Sequence, residues 1–199
     1  MDPYLYALIS TFVPEHFSVL TELAGGLLIK EIRKNLASER TYANGVLHSF
    51  NDKPAVIYSN GSQEWYKNGK IHRDNDLPAV IYVDGTKRWY QNGQVHRDND
   101  RPAWIWPNGT QWWYRNGEVH RDNDLPAVIW ADETRIWYKN GEIHRDNDRP
   151  AIIQRDGSQG WYQNGIQHRD NDRPAYVGCY GFQIWYQNGT QYRQQWPVS

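Results

Sequence analysis

Trp89-Tyr90-Gln91-Asn92-Gly93-Gln94-Val95-His96-Arg97-Asp98-Asn99-Asp100-Arg101-Pro102-Ala103 is one copy of a segment that returns, with small changes, every 24 residues from Thr41 to the end of the chain. Its tryptophan column runs Trp65, Trp89, Trp113, Trp137, Trp161 and Trp185. The turn glycines are Gly45, Gly69, Gly93, Gly117, Gly141, Gly165 and Gly189, and the histidine column is His48, His72, His96, His120, His144 and His168. A fixed period of this length marks a stacked repeat array, in which each unit buries its apolar surface against its neighbours.

Within one copy the chemistry is that of strands. Ala79-Val80-Ile81-Tyr82 is a β-branched run and Arg88-Trp89-Tyr90 a second strand. Asp84-Gly85 and Asn92-Gly93 predict two-residue hairpin loops with positive φ at both positions. The Asp-Asn-Asp-X-Pro segment suits a connecting loop, because short polar side chains bond nearby backbone groups and proline fixes the exit direction. The expected fold is mainly β: an elongated array of antiparallel β-hairpin repeats over residues 41–199, about six repeats and a polar cap at Gln194-Gln195-Trp196-Pro197.

Comparison of the copies separates two faces, since alternate strand residues point to opposite sides. Ala55/Ile57, Ala79/Ile81, Ala103/Ile105, Ala127/Ile129, Ala151/Ile153 and Ala175/Val177 hardly vary, which predicts core. The opposite side varies: Val56/Tyr58, Val80/Tyr82, Trp104/Trp106, Val128/Trp130, Ile152/Gln154 and Tyr176/Gly178. With Trp112 and Ile136 it concentrates aromatic residues in the middle copies. Tyr58, Tyr82, Trp104, Trp106, Trp112, Trp130 and Ile136 are therefore the candidate partner-binding residues, either exposed as an interface or covered by the N-terminal segment.

Residues 1–40 carry no repeat and show helical spacing. Asp2-Pro3 reads as a cap and first-turn proline before Tyr4, Leu5, Leu8, Ile9 and Phe12. A second helix is expected from Pro14 through Phe17, Val19, Leu20 and Leu23, broken by Gly25-Gly26, and a third over Leu27 to Leu36. These would form a small helical cap on the array. Three short helices, with Ile9-Ser10-Thr11-Phe12-Val13-Pro14 leading into a leucine-rich segment, also resemble a degenerate F-box, although the usual Leu-Pro start is missing. That resemblance implies an adaptor of a ubiquitin ligase, with residues 1–40 binding a Skp1-like protein.

Composition narrows the function. Lys+Arg 22 against Asp+Glu 23 gives no electrostatic reason for a nucleic-acid partner. No apolar run approaches the length of a membrane span and no secretory leader is evident. The lone Cys179 leans toward a reducing compartment, so a soluble cytoplasmic protein is expected. His-Arg-Asp occurs five times without a glycine-rich loop or Asp-Phe-Gly, and an active site is not built in tandem copies, which excludes a kinase. A histidine with two carboxylates per copy, such as His96, Asp98 and Asp100, lacks the compact four-ligand set of structural zinc and only partly resembles a calcium loop. No catalytic residue, cofactor or metal site is expected, and the alternative role for these residues is cross-strand hydrogen bonding by the histidines, with Arg97 and its equivalents paired to Asp98 or Asp100 of the same or next repeat.

Asp84-Gly85-Thr86-Lys87-Arg88-Trp89-Tyr90-Gln91-Asn92-Gly93-Gln94-Val95-His96-Arg97 resembles a variant MORN repeat, and the resemblance covers residues 41–195. It departs from the standard pattern where Asp98-Asn99-Asp100 replaces Gly-X-Gly after the histidine, which places the family's lipid-contact role in doubt. The resemblance implies an elongated β array acting as a scaffold or binding surface, of a kind abundant in bacteria, phages and large DNA viruses, where a short F-box-like segment can precede it. The expected function is a non-enzymatic scaffold for protein–protein interaction. The alternatives are the ubiquitin-ligase adaptor, a capsid or tegument structural protein of a virion, and a carbohydrate-binding tryptophan face. Open strand edges would also let arrays join end to end.

Overall fold

The structure, a computed structural model, describes residues 18–24 and 28–197. Every regular element among them is a β-strand. The chain falls into two compact units, Met1–Gln94 and Val95–Ser199.

In the first unit β1 (Ser18–Ala24) pairs antiparallel with β2 (Leu28–Lys34), Ser18 standing opposite Lys34 and Ala24 opposite Leu28. Next, β2 pairs with β3 (Ser38–Ala43), which also pairs with β4 (Val46–Leu47) and β5 (Val56–Tyr58). This corrects the helices expected from Pro14 to Leu23 and over Leu27 to Leu36 wherever the chain is described; the Tyr4–Phe12 segment lies outside the described residues. Seven-residue runs are too short for their apolar period to decide between helix and strand. The edge of β3 decides it, because its row of backbone donors and acceptors is satisfied by a neighbouring strand and not by a helix. The second and third helices of an F-box are accordingly absent from residues 18–24 and 28–34, and the sheet runs without a break through residue 40.

Each repeat then makes two hairpins. For the first, β5 pairs with β6 (Gln63–Glu64), and β6 pairs onward with Val80–Ile81 of the next copy. For the second, β7 (Tyr66–Lys67) and β8 (Lys70–Ile71) close on each other alone. In the second unit the sheet hairpins lie side by side in one register, so that Trp104, Trp112, Val128, Ile136, Ile152, Gly160, Tyr176 and Ile184 form a continuous cross-strand row. The final strand, Thr190–Gln195, pairs with Gln183–Gln187.

The turns explain the sequence signature. The Asn-Gly loops that follow the Trp-Tyr strands, with Asn44-Gly45 of the first copy, hold Asn at φ 47–52° and Gly at 77–90°, as two-residue primed turns require. The Asp84-Gly85 loop is built differently from expectation: Gly85 alone is left-handed, at φ 88°. Its amide and that of Tyr82 make a three-residue loop, through Gly85 N to Tyr82 O and Tyr82 N to Thr86 O, both 2.9 Å. The Asp84 carboxylate accepts the Thr86 amide at 2.8 Å, which favours a type I turn followed by a glycine bulge over a primed turn. In the fourth such loop Glu133 stands where Gly61, Gly85, Gly109, Gly157 and Gly181 stand in the others, at φ 72°. A side chain in this region costs about 1 to 2 kcal/mol, partly offset by the conformational entropy that glycine loses on folding. Glu133→Gly should thus raise stability by about 0.5 to 1 kcal/mol, seen as a higher urea midpoint; a lower midpoint would mean that the carboxylate makes a stabilising contact.

Burial corrects the assignment of the two faces. The alanine column is fully buried and the repeat tryptophans are 4–7 % exposed, as expected of core. The isoleucines that share their face are not core: Ile57 is 36 % exposed and Ile81, Ile105, Ile129 and Ile153 are half-buried. Val56, Val80 and Val128 on the opposite face are buried instead. The reason is an aromatic residue two positions along, which leans back over this row. Tyr66 Oη donates to Glu64 at 2.9 Å, the Tyr114 ring packs on Trp112, and a Cβ at Gly160 would lie 3.1 Å from the Tyr162 ring.

Candidate functional interface

The His-Arg-Asp-Asn-Asp segment is the fastening between copies. Asn75 and Asp76 are both left-handed, at φ 60° and 56°, and this turns the Asp76 carbonyl toward the Trp89 indole, whose Nε1 donates to it at 3.0 Å. The same contact recurs from Trp113 to Asp100 at 3.1 Å and from Trp137 to Asp124 at 2.9 Å. The carboxylate of that second aspartate grips the arginine of the following copy. Arg145 Nε and Nη2 donate to Asp124 at 2.9 Å each while its guanidinium lies 3.7 Å over the Trp137 ring. Arg73 does the same with Asp52 and Trp65, and Arg121 with Asp100 and Trp113.

The histidine is a two-sided connector. His120 Nδ1 accepts the Asn140 amide of the next Asn-Gly turn at 3.0 Å, and its Nε2 lies 2.9 Å from Asp122 Oδ1. Since a backbone N–H can only donate, Nδ1 is the bare nitrogen and Nε2 carries the proton. His72, His96, His144 and His168 repeat both contacts. Hydrogen bonds from His72, His120, His144 and His168 are the first cause holding Asp74, Asp122, Asp146 and Asp170 below the ordinary carboxylate pKa. This corrects the pairing expected of the arginine column: Arg73, Arg121, Arg145 and Arg169 pair with the second aspartate of the preceding copy, not of the same or next one, because the first aspartate of their own copy serves the histidine.

Clefts of about 260 and 210 Å³ lie between successive loops of the second unit, but their carboxylates are already engaged. Asp122 is bonded to His120 and Arg115, Asp124 to Arg145 and Arg149, and Asp146 to His144 and Lys139. Among the described residues no group of three or more His, Cys, Asp or Glu is arranged to hold a metal, and no helix is long and apolar enough to cross a membrane.

Four of the candidate partner-binding residues do come together. Trp104 and Trp106 stack at 4.4 Å with 14° between planes, Trp112 lies 6.1 and 5.7 Å from them, and Trp130 meets Trp112 edge-on at 5.9 Å. Trp130 is the most open of the four, 42 % exposed, and the other three are half-buried. Ile136 continues the same cross-strand row beyond Val128 and is half-buried. Tyr58 and Tyr82 belong to the first unit, where Arg88 lies 4.8 Å over the Tyr82 ring and burial pushes both phenols above their ordinary pKa.

Four residues escaped the candidate set. Tyr114 joins the cluster at 6.2 Å from both Trp104 and Trp112, yet it sits in the unvarying tyrosine column and so read as structural. Glu133 was legible as the loop residue that breaks a glycine column. Where the repeat is least regular, Trp196 stacks on Phe182 at 4.2 Å and Tyr180 is 88 % exposed.

Comparison with protein-family models, with curated proteins and with solved structures finds no match to this chain.

Proposed function

We propose that the protein is a non-enzymatic repeat scaffold that captures another protein on the aromatic platform of its Val95–Ser199 unit. The observation that carries this reading is the position of the rings. Trp104, Trp106, Trp112 and Trp130 occupy columns that hold Val, Tyr, Glu, Arg, Ile, Gln or Gly in other copies, so the array does not need them to fold. Large, rigid, half-exposed indoles in mutual contact are the residue type that dominates binding energy at protein interfaces.

The test uses residues the fold already accepts at the same column. A variant with Trp104→Val, Trp106→Tyr, Trp112→Ile and Trp130→Gln should keep the strand content and cooperative unfolding of the parent. Affinity capture with mass spectrometry, followed by direct titration of the purified partner, should show binding weakened at least about 100-fold, as expected when several interface anchors of about 2 kcal/mol or more are lost together. Equal capture by parent and variant would overturn the reading.

A further inference from the structure

Resting on that reading of the platform, we infer that its occupant is a proline-rich segment in polyproline II conformation, carrying a basic side chain that pairs with Glu133. Three observations converge on it. The rings touch, at 4.4 to 6.2 Å between centroids, so no slot opens between them and the occupant lies across the platform instead of inserting a side chain. Second, the platform's indoles offer only hydrogen-bond donors, and Trp112 Nε1 is shielded from solvent with no hydrogen-bond acceptor among the described residues. A ligand matched to it brings carbonyls without bringing amide hydrogens that would go unsatisfied. A polyproline II segment does this, because its carbonyls are free and its prolines have no N–H, whereas a helix has its carbonyls already bonded.

The third observation is Glu133. Its amide bonds the Trp130 carbonyl at 2.9 Å, so the loop that breaks the glycine rule is the one attached to the most open ring of the platform. The residue is exposed and its carboxylate has no hydrogen bond or ion pair among the described residues. Asp132, its chain neighbour, is held to the Thr134 amide at 2.9 Å, and the charge of Arg155 acts on Asp132. Backbone strain retained at such a position, where glycine would be relaxed, has the pattern of a residue kept for what it binds. Seating of the segment brings a ligand carbonyl to Trp112 Nε1 and the basic side chain to Glu133.

The test is a titration of the full chain with synthetic peptides, read by tryptophan fluorescence and calorimetry. The probes are polyproline peptides with one arginine at either end, the same peptides with alanine for arginine, an apolar helical peptide and a linear oligosaccharide. One arginine-bearing peptide should bind with a Kd on the order of 10 to 100 μM, as a short segment does. Alanine for arginine should weaken it about fivefold, Glu133→Gly should weaken it by a similar factor without lowering the melting temperature, and the two changes together should do no more than either alone. Trp130→Gln should weaken every proline peptide. Absence of proline-peptide binding, tighter binding of the helix or the sugar, or indifference to Glu133→Gly would each overturn the inference. A chain that captures a protein through the four tryptophans and ignores these peptides would overturn this inference alone and leave the scaffold reading standing.

Discussion

Trp137→Ala is expected to lower the stability of the unit that contains it by about 3 to 5 kcal/mol, the range for truncating a buried aromatic residue. Trp137 is 7 % exposed. Its backbone joins both hairpins, Trp137 N donating to Ala151 O at 2.8 Å and Trp137 O accepting His144 N at 3.1 Å. Truncation leaves those bonds but removes the ring, strands the Asp124 carbonyl that accepted Nε1 at 2.9 Å, and takes away the surface on which Arg145 lies at 3.7 Å. In a repeat array each copy is stabilised by its neighbours, so the damage spreads to the Asp124 clamp on one side and the Asn-Gly turn on the other. Trp130→Ala is the control. That ring is 42 % exposed and holds no such contacts, so its loss should cost no more than about 1 kcal/mol. Urea denaturation of the two variants separates them; a Trp137→Ala loss near that of Trp130→Ala would show that the tryptophan column is not the core.

The repeat, its period and its hairpins were legible because turns are read locally: Asn92-Gly93 can do little else in a β context, and seven copies fix the register. What failed was what depends on neighbours. Leu28–Lys34 has side chains suited to a helix, and it is a strand because β3 stands beside it. Ile57 and Val56 are equally apolar, and only the lean of a tyrosine from the next strand decides that Val56 is buried and Ile57 is not. The candidate interface was found by the same comparison that found the core, read in reverse, since positions free to vary collected the indoles. Tyr114 escaped because it does two things at once, covering the row as every copy of its column does and meeting two indoles that only this copy has. The His-Arg-Asp motif, which first suggests catalysis, is absorbed by the fastening between copies.

That fastening makes acid the most damaging solvent change. Asp52, Asp124 and Asp148 are held below the ordinary carboxylate pKa first by the hydrogen bonds of Arg73, Arg145 and Arg169, against a smaller opposing effect of burial. Asp74, Asp122, Asp146 and Asp170 are lowered by their histidines in the same sense. A carboxylate whose folded pKa lies below its unfolded value, 3.8 for an ordinary aspartate, binds more protons when unfolded throughout the interval between the two. Its contribution is fully present above about pH 4 and is lost as pH falls through the folded value. Exposure of several of these carboxylates limits what any one contributes, yet seven act in the same direction and the copies unfold together. The melting temperature should therefore change little from these groups between pH 7 and pH 5, then fall by on the order of 10 °C by pH 3. Asp124→Asn tests the mechanism inside the array. It keeps the left-handed turn and the carbonyl that receives Trp137 Nε1, and it removes the charge that grips Arg145, so it should destabilise at pH 7 and lose part of its deficit relative to the parent at pH 3. A deficit that stays constant across that range would show that the clamp does not titrate, and that acid acts elsewhere in the chain.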